Sequence, residues 1–298
     1  MRQSCAELLE EYKQSRPRFT WKKLRFIGIG DQDVYNVTAP FQDDGEWVIA
    51  GRVEARHTEH SVVRFFVEEK GIWCPHLNAP TFNLQDPFVT RIGAELIFGG
   101  VEVYPHPTIP GALAWRTNFY RGTSISNLEK FASGPDGMKD IRLVEIARER
   151  IGVFTRPQGE IGGRGTIGFT EVATLDHLTI RTMAEAPLLD QFVPEEWGGA
   201  NEVHLLKNGL LGVLGHIACF DHKGDRHYYP MVFAFDVEAR QATPMKLIAT
   251  RADFPAGPAK RSDLQDVVFS GGLRRLPNGR AEFYAGVSDA EAHCLGMK

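Results

Sequence analysis

A carboxylate stands at the head of a short apolar run in Asn83-Leu84-Gln85-Asp86-Pro87-Phe88-Val89-Thr90-Arg91. A carboxyl group in such a place can give or take a proton, or bind a hydroxyl. Proline fixes its own φ and pushes the preceding residue toward extended backbone, which predicts a defined, extended geometry for Asp86. Arg91 closes the stretch, but strand alternation turns it away from Asp86, so its partners must come from elsewhere.

Cationic candidates recur in similar surroundings: Arg52 in Ala50-Gly51-Arg52-Val53-Glu54, Arg156 in Phe154-Thr155-Arg156-Pro157, and Arg164 in Gly162-Gly163-Arg164-Gly165. Arg121 ends Asn118-Phe119-Tyr120-Arg121, and His216 ends Val213-Leu214-Gly215-His216. Brought together, such groups would bind phosphate or carboxylate. Taken singly, an arginine there can equally lie over apolar neighbours with its head in water.

Other patterns lack the spacing their chemistry needs. Gly28-Ile29-Gly30 has neither the third glycine nor the following helix of a dinucleotide loop. His57, His60, Cys74 and His76, and likewise Cys219, His222 and His227, do not have zinc-ligand spacing, so no metal is expected. No nucleophile elbow is present.

These side chains need a frame. The 298 residues carry a formal net charge of −4, which argues against nucleic acid or an anionic membrane as partner. Any anion must therefore meet a local cluster of cations. Four scattered cysteines suggest reduced thiols and a cytoplasmic address. The N-terminus reads as a short polar helix around Ser4 to Gln14, not a signal peptide, and no run suits a membrane span.

Beyond that helix the sequence reads as many short strands rich in Val, Ile, Phe and Tyr, separated by Gly, Pro, Asp and Asn. Five of them begin with an acid: Asp33, Asp86, Asp140, Glu202 and Asp266, spaced 53, 54, 62 and 64 residues apart. That approaches the roughly 40–50 residues of a propeller blade with longer loops. Each start is followed by a second strand and a third, and fourth strands fit 71–74, 126–131, 178–184 and 245–250. The fifth unit ends after its third strand, while Lys22 to Gly28 is a spare strand ahead of the first.

The reading is an all-β, five-bladed β-propeller forming a single domain over 1–298, closed by the N-terminal strand, which removes two exposed edges. Two stacked β-sandwiches are the competing architecture. In a propeller, acids at equivalent strand starts such as Asp33 and Asp140 would ring the central axis, where ligands sit. Asp before a strand also commonly caps a turn.

Asn83-Leu84-Gln85-Asp86-Pro87 resembles the Asp-Pro motif of the five-bladed β-mannoside phosphorylases of glycoside hydrolase family 130. Ala50-Gly51-Arg52-Val53-Glu54 is similar to their first-blade Arg-Val-Glu element, and Phe154-Thr155-Arg156-Pro157 to their third-blade Arg-Pro. Leu214-Gly215-His216 is similar to their Tyr-His-Gly, and Ala285-Gly286-Val287-Ser288-Asp289 to their late Gly-Ala-x-Asp. The related β-1,2-mannosyltransferase/phosphorylases of glycosyltransferase family 108, once known only as a domain of unknown function, are the nearer likeness. Gln85, Phe88 and Leu214 depart from the family pattern. The resemblance implies that Asp86 is the general acid, acting through a hydroxyl of the mannose. Arg52, Arg156 and His216, with Arg121 and Arg164 as further candidates, would bind phosphate or the donor's phosphate, and Asp289 the reacting mannose. It implies no cofactor, because phosphate, mannose 1-phosphate or GDP-mannose is a substrate, with mannose oligosaccharides as the other partner. An inverting glycosidase using acids such as Asp33, Asp140 and Glu202, and a non-catalytic sugar- or protein-binding propeller, are the other two readings.

Overall fold

The computed structural model describes residues 2–15 and 19–297. A helix, α1 (Cys5–Ser15), opens the chain. Strand β1 (Thr20–Lys23) follows, and then five antiparallel meanders in succession. The first holds β2 (Asp33–Tyr35), β3 (Phe41–Asp43), β4 (Glu46–Glu54), β5 (Ser61–Glu69) and β6 (Ile72–Pro75). The second holds β7 (Gln85–Ile92), β8 (Glu95–Pro105), β9 (Leu113–Gly122) and β10 (Glu129–Ser133). The third is β11 (Arg142–Ala147), β12 (Arg150–Thr155) and β13 (Gly168–Val172), with the short helices α2 (Gly159–Gly162) and α3 (Ile180–Ala184) in its connections. The fourth is β14 (Trp197–Leu205), β15 (Leu211–Phe220) and β16 (Arg226–Asp236), edged by β17 (Gln241–Ala242) and β18 (Lys246–Leu247). The fifth is β19 (Asp266–Arg275), β20 (Ala281–Val287) and β21 (Glu291–Met297), and a short parallel pairing of β19 with β16 joins the last two into one sheet. The architecture is all-β and propeller-like.

Runs rich in Val, Ile, Phe and Tyr make these strands, and their apolar side chains meet between meanders. One core cluster joins the first meander to the second through Phe65, Leu96 and Phe98. Others join the second to the third through Phe119 and Val153, and the third to the fourth through Phe154, Phe169 and Phe235. Leu214 and Phe283 belong to a cluster between the fourth and fifth. A last cluster, with Val34, Phe66 and Tyr284, brings the fifth back against the first.

The spare N-terminal run behaves as a strand but starts earlier than expected. β1 pairs antiparallel with β21, from Thr20 opposite Gly296 to Lys23 opposite His293. The residues just after it change partner: Ile27 donates to the Trp73 carbonyl and Trp73 to that of Arg25, in the first meander. The same short run therefore touches both ends of the succession.

Several sequence expectations are corrected. Glu202 lies inside β14 and not ahead of it, and Ile125–Asn127 forms a helical turn before β10. Residues 178–184 were expected as a strand, but Thr179 caps α3 by accepting from the Thr182 amide, and the third meander proceeds with three strands. The capping geometry of Thr179, followed by Ile-Arg-Thr-Met-Ala, favours a helical turn over a strand edge. Asp86 was expected to be extended, yet its φ is +49°. A register shift between Gln85 and Phe88 inserts a bulge there, and Asp is among the few residues that tolerate the left-handed region. No described helix is long and apolar enough to cross a membrane.

Candidate active site

Residues of all five meanders line one cavity of about 260 Å³. The bulge at the start of β7 points Asp86 into it. Asp86 Oδ1 accepts from Asn36 Nδ2 at 2.7 Å and from Arg52 Nη1 at 3.2 Å. No described group donates to Oδ2, so that oxygen is the one offered to a ligand. Asn36 and Asp289 share the left-handed backbone, at φ +47° and +49°, and both also line the cavity.

Arg52 is buried on β4 and held from behind. Its Nε and Nη2 donate to Glu54 at 2.9 and 2.6 Å. Glu54 in turn pairs with the buried Lys260, which also contacts Glu59 at 3.0 Å. Burial opposes the charge of Arg52, but Asp86 and Glu54 outweigh it and hold the guanidinium firmly protonated. The result is a rigid cation with one edge on Asp86.

Arg156 is gripped in the same manner just beyond β12. Nε donates to the Gly198 carbonyl at 2.8 Å and Nη1 to Asp140 at 3.1 Å. Two glycines make room for it: a Cβ at Gly199 would lie 2.6 Å from Arg156 Cδ, and one at Gly165 would lie 2.6 Å from Nε. Asp140 also faces Arg142 at 3.5 Å. Burial alone would raise its carboxyl, but Arg156 and Arg142 prevail and hold it below the usual range, so Asp140 is a fixed anion. Asp289 has the opposite balance. Burial raises its carboxyl and the charge of Asp86 adds to that, against Arg52 and Lys260.

His216 is buried on β15, with Nδ1 2.8 Å from Asn201 Oδ1 and its ring stacked on Tyr228 at 5.3 Å. Burial, helped by Arg156, lowers it to about 3, so the imidazole is neutral. With the proton on Nδ1 facing the Asn201 oxygen, Nε2 is a bare acceptor, and no described group bonds to it. In that tautomer the neutral His216 has an acceptor at Nε2 and carries no positive charge.

The cavity therefore brings together Asp86, Arg52, Arg156, His216, Asp140 and Asp289. Three other candidates lie outside its lining. Asp33 pairs with Arg56 at the surface at 2.8 Å. Arg121 contacts Asp176 at 3.3 Å on another face. Arg164 lays its guanidinium over Phe220 and Trp197, and only its carbonyl reaches Arg156. Several lining residues escaped the sequence reading: Asn36, Lys139, Arg226, Tyr228, Lys260 and Arg261. Lys260 sits in a Pro-rich loop that looks like a plain connection. Asn36 ends the run Asp33-Val34-Tyr35-Asn36, where the leading acid drew attention away from it. Among the described residues, one grouping has metal-ligand proximity: Cys5, Glu196 and Cys219, with donor atoms within 4.8 Å of one another. It lies beside α1 and shares no residue with the cavity.

A propeller-like all-β frame that gathers four carboxylates and six cationic side chains around one cavity defines the class of this protein. The chain belongs to the family described as "Protein of unknown function (DUF1861)", whose model matches residues 11–298. A mannose phosphorylase from Leishmania mexicana, solved in complex with phosphate ion, is 33% identical, with a TM-score of 0.90, covering 98% of this chain and 92% of that one. A GDP-Man-dependent mannosyltransferase from the same organism is 30% identical, with a TM-score of 0.89 and coverage of 99% and 94%. A glycosyl hydrolase from Bacteroides ovatus, at 12% identity, a TM-score of 0.62 and coverage of 89% and 84%, shares the fold alone. No curated protein sequence matches the chain.

Proposed function

We propose that this protein is an inverting β-mannoside phosphorylase, working on β-1,2-linked mannose oligosaccharides and phosphate. In the reverse direction it would transfer mannose from mannose 1-phosphate. The carrying observation is the convergence of Asp86 with the firmly held Arg52 and Arg156 in one cavity. Phosphate arrives as an anion and needs no general base. It needs cations to hold it behind the anomeric carbon, and a proton for the departing sugar oxygen. Asp86 Oδ2 would supply that proton by way of a mannose hydroxyl. His216 Nε2 and Asp289 would fix hydroxyls around the reacting ring. No cofactor is needed, since phosphate is itself the second substrate.

Two features favour phosphate over water as nucleophile. Inverting hydrolysis requires a second carboxylate free to activate water. Asp140 is tied to Arg156 and Arg142, and Glu59 to Lys260 and Arg261, while burial and the charge of Asp86 disfavour the anionic form of Asp289, the remaining lining carboxylate. Asp33 and Glu202 do not line the cavity. The enclosed volume, about 260 Å³, is small even beside the roughly 300–1,000 Å³ of common ligand pockets. It suits one sugar and one phosphate, while a guanosine would extend outside, which makes GDP-mannose the second donor to test. We further take the frame to be a single domain of five blades closed by β1. The five core clusters, each between successive meanders with the last returning to the first, support that count.

The test is incubation with β-1,2-mannose oligomers with and without phosphate, and the reverse reaction with mannose 1-phosphate or GDP-mannose as donor. Mannose 1-phosphate is expected only when phosphate is present. Equally fast cleavage without phosphate, releasing free mannose, would overturn the proposal.

A further inference from the structure

Three side chains from distant parts of the chain meet at the start of α1. Cys5 is the first residue of that helix, Glu196 stands just ahead of β14, and Cys219 is the last residue but one of β15. Their sulfur and carboxylate donor atoms all lie within 4.8 Å of one another. Glu196 Oε2 accepts from the Cys5 amide at 2.7 Å, and Oε1 receives no hydrogen bond from the described residues. Cys5 is buried, while Glu196 and Cys219 are half-buried, so water can reach the group. None of the three lines the cavity around Asp86.

The donor set matches zinc. Zinc–sulfur bonds are about 2.3 Å and zinc–oxygen bonds about 2.0–2.2 Å, so two donors on one tetrahedral ion stand about 3.6–3.8 Å apart. Calcium and magnesium favour shells of oxygen, whereas two thiolates with a carboxylate suit a borderline-soft ion. The charges agree with a cation here. Cys219, together with burial, raises the Cys5 thiol, and burial raises the Glu196 carboxyl. No lysine or arginine among the described residues forms an ion pair with Glu196. A divalent ion offsets all three negative charges and favours the ionised ligands. His227 faces Cys219 across β15 and β16, but its Nδ1 is 2.6 Å from Asp266 and it does not join the group.

We propose that Cys5, Glu196 and Cys219 form a structural zinc site, completed by water, that fastens α1 to the fourth meander. The site takes no part in the chemistry at Asp86 and stands independently of the function proposed above. Spacing along the chain conceals it, because each ligand comes from a different segment.

The full chain, purified under reducing conditions and stripped with a chelator, is titrated with zinc and with cobalt(II). One equivalent of each is expected, with cobalt giving thiolate-to-metal absorption in the near ultraviolet and the visible bands of a tetrahedral ion. Zinc should raise the melting temperature by about 5 °C at roughly 100 times its dissociation constant. Cys219→Ser should remove about half of the thiolate absorption. Its zinc affinity should fall about 10-fold or more, since even groups behind a ligand are worth that much. Glu196→Gln keeps an acceptor for the Cys5 amide, which guards against a folding defect, and should weaken zinc to a similar extent. No zinc uptake, cobalt binding without thiolate absorption, or unchanged affinity in both variants overturns the proposal. So does a Cys5–Cys219 disulfide that forms in air and, once reduced, takes up no metal.

Discussion

At the scale of single residues, the site separates groups that look alike in sequence. Asp86 and Asp140 both lead a strand, and both adopt the left-handed backbone, at φ +49° and +58°. Asp140 is enclosed by two arginines and serves as their counter-ion, whereas Asp86 keeps one oxygen for a ligand. Removing the Asp140 charge would strand buried guanidinium groups, so its role reads through stability as much as through rate. His216 offers a cleaner measurement. Its folded value of about 3 lies below the ordinary histidine value near 6.5. As pH falls through 6.5 the unfolded chain takes up a proton that the folded chain refuses. Stability is therefore lost on acidification, at about 1.4 kcal/mol per pH unit, down to the folded value. Asp140 has a depressed carboxyl, so its loss falls below about pH 4, outside the upper part of that window. The melting temperature of the wild type should thus drop relative to His216→Gln between pH 6.5 and 4.5. Parallel melting curves for the two proteins over that range would show that the imidazole is not held neutral.

At the scale of elements, strands are shaped to let arginines pass. Gly199 on β14 lies opposite His216 on β15 and leaves space for the Arg156 stem. Gly199→Ala should push the guanidinium off its Asp140 and Gly198 partners. Phosphate affinity is expected to fall about 10-fold or more with the melting temperature lowered only modestly, read by titration with inorganic phosphate. Unchanged affinity would mean that Arg156 does not hold the anion. β1 provides a second prediction. It covers the edge of β21, and Lys23 on it pairs with Glu291. Deleting residues up to Lys23 removes that cover together with α1, whose Leu8 and Tyr12 are buried in the core. The melting temperature should fall on the order of 10 °C and the protein should self-associate on a sizing column, because an open edge strand recruits partners. Strands were legible because runs rich in Val, Ile, Phe and Tyr are set off by Gly, Pro, Asp and Asn; period-two alternation is lost where β4, β8 and β19 are buried along most of their length. The helical turn after β13 was not, since its decisive feature is one threonine hydroxyl capping an amide. The backbone of Asp86 was misread for a related reason: a bulge is a property of two paired strands, and proline rules describe one chain.

At the scale of the whole molecule, the near-even spacing of acids pointed to the repeat, although Glu202 lies within β14 and not ahead of it. What spacing does not reveal is which repeats kept the acid for ligands. Asp33 lies outside the ring because β2 runs two residues further before Asn36 turns inward, and Lys260 reaches the cavity from a loop that no repeat predicts. The charge map follows from that assembly. The protein carries a net −4 overall, yet the cavity lining holds Arg52, Lys139, Arg156, Arg226, Lys260 and Arg261 against Glu59, Asp86, Asp140 and Asp289. A locally positive cavity in a negative protein attracts an anion only over short range, and at 0.1 M salt the screening length is about 10 Å. Buried pairs such as Arg156–Asp140 are little screened, so added salt should act on capture and leave the chemical step alone. The KM for phosphate is therefore expected to rise about 2- to 5-fold between 0.02 and 0.3 M sodium chloride, at constant kcat. Lys139 has no carboxylate partner among the described residues, so its field is the least cancelled. Lys139→Gln should raise the KM at low salt and flatten its salt dependence. A wild-type KM that is indifferent to salt, or a variant that keeps the full slope, would show that the anion is drawn in by hydrogen bonding at Arg52 and Arg156 alone.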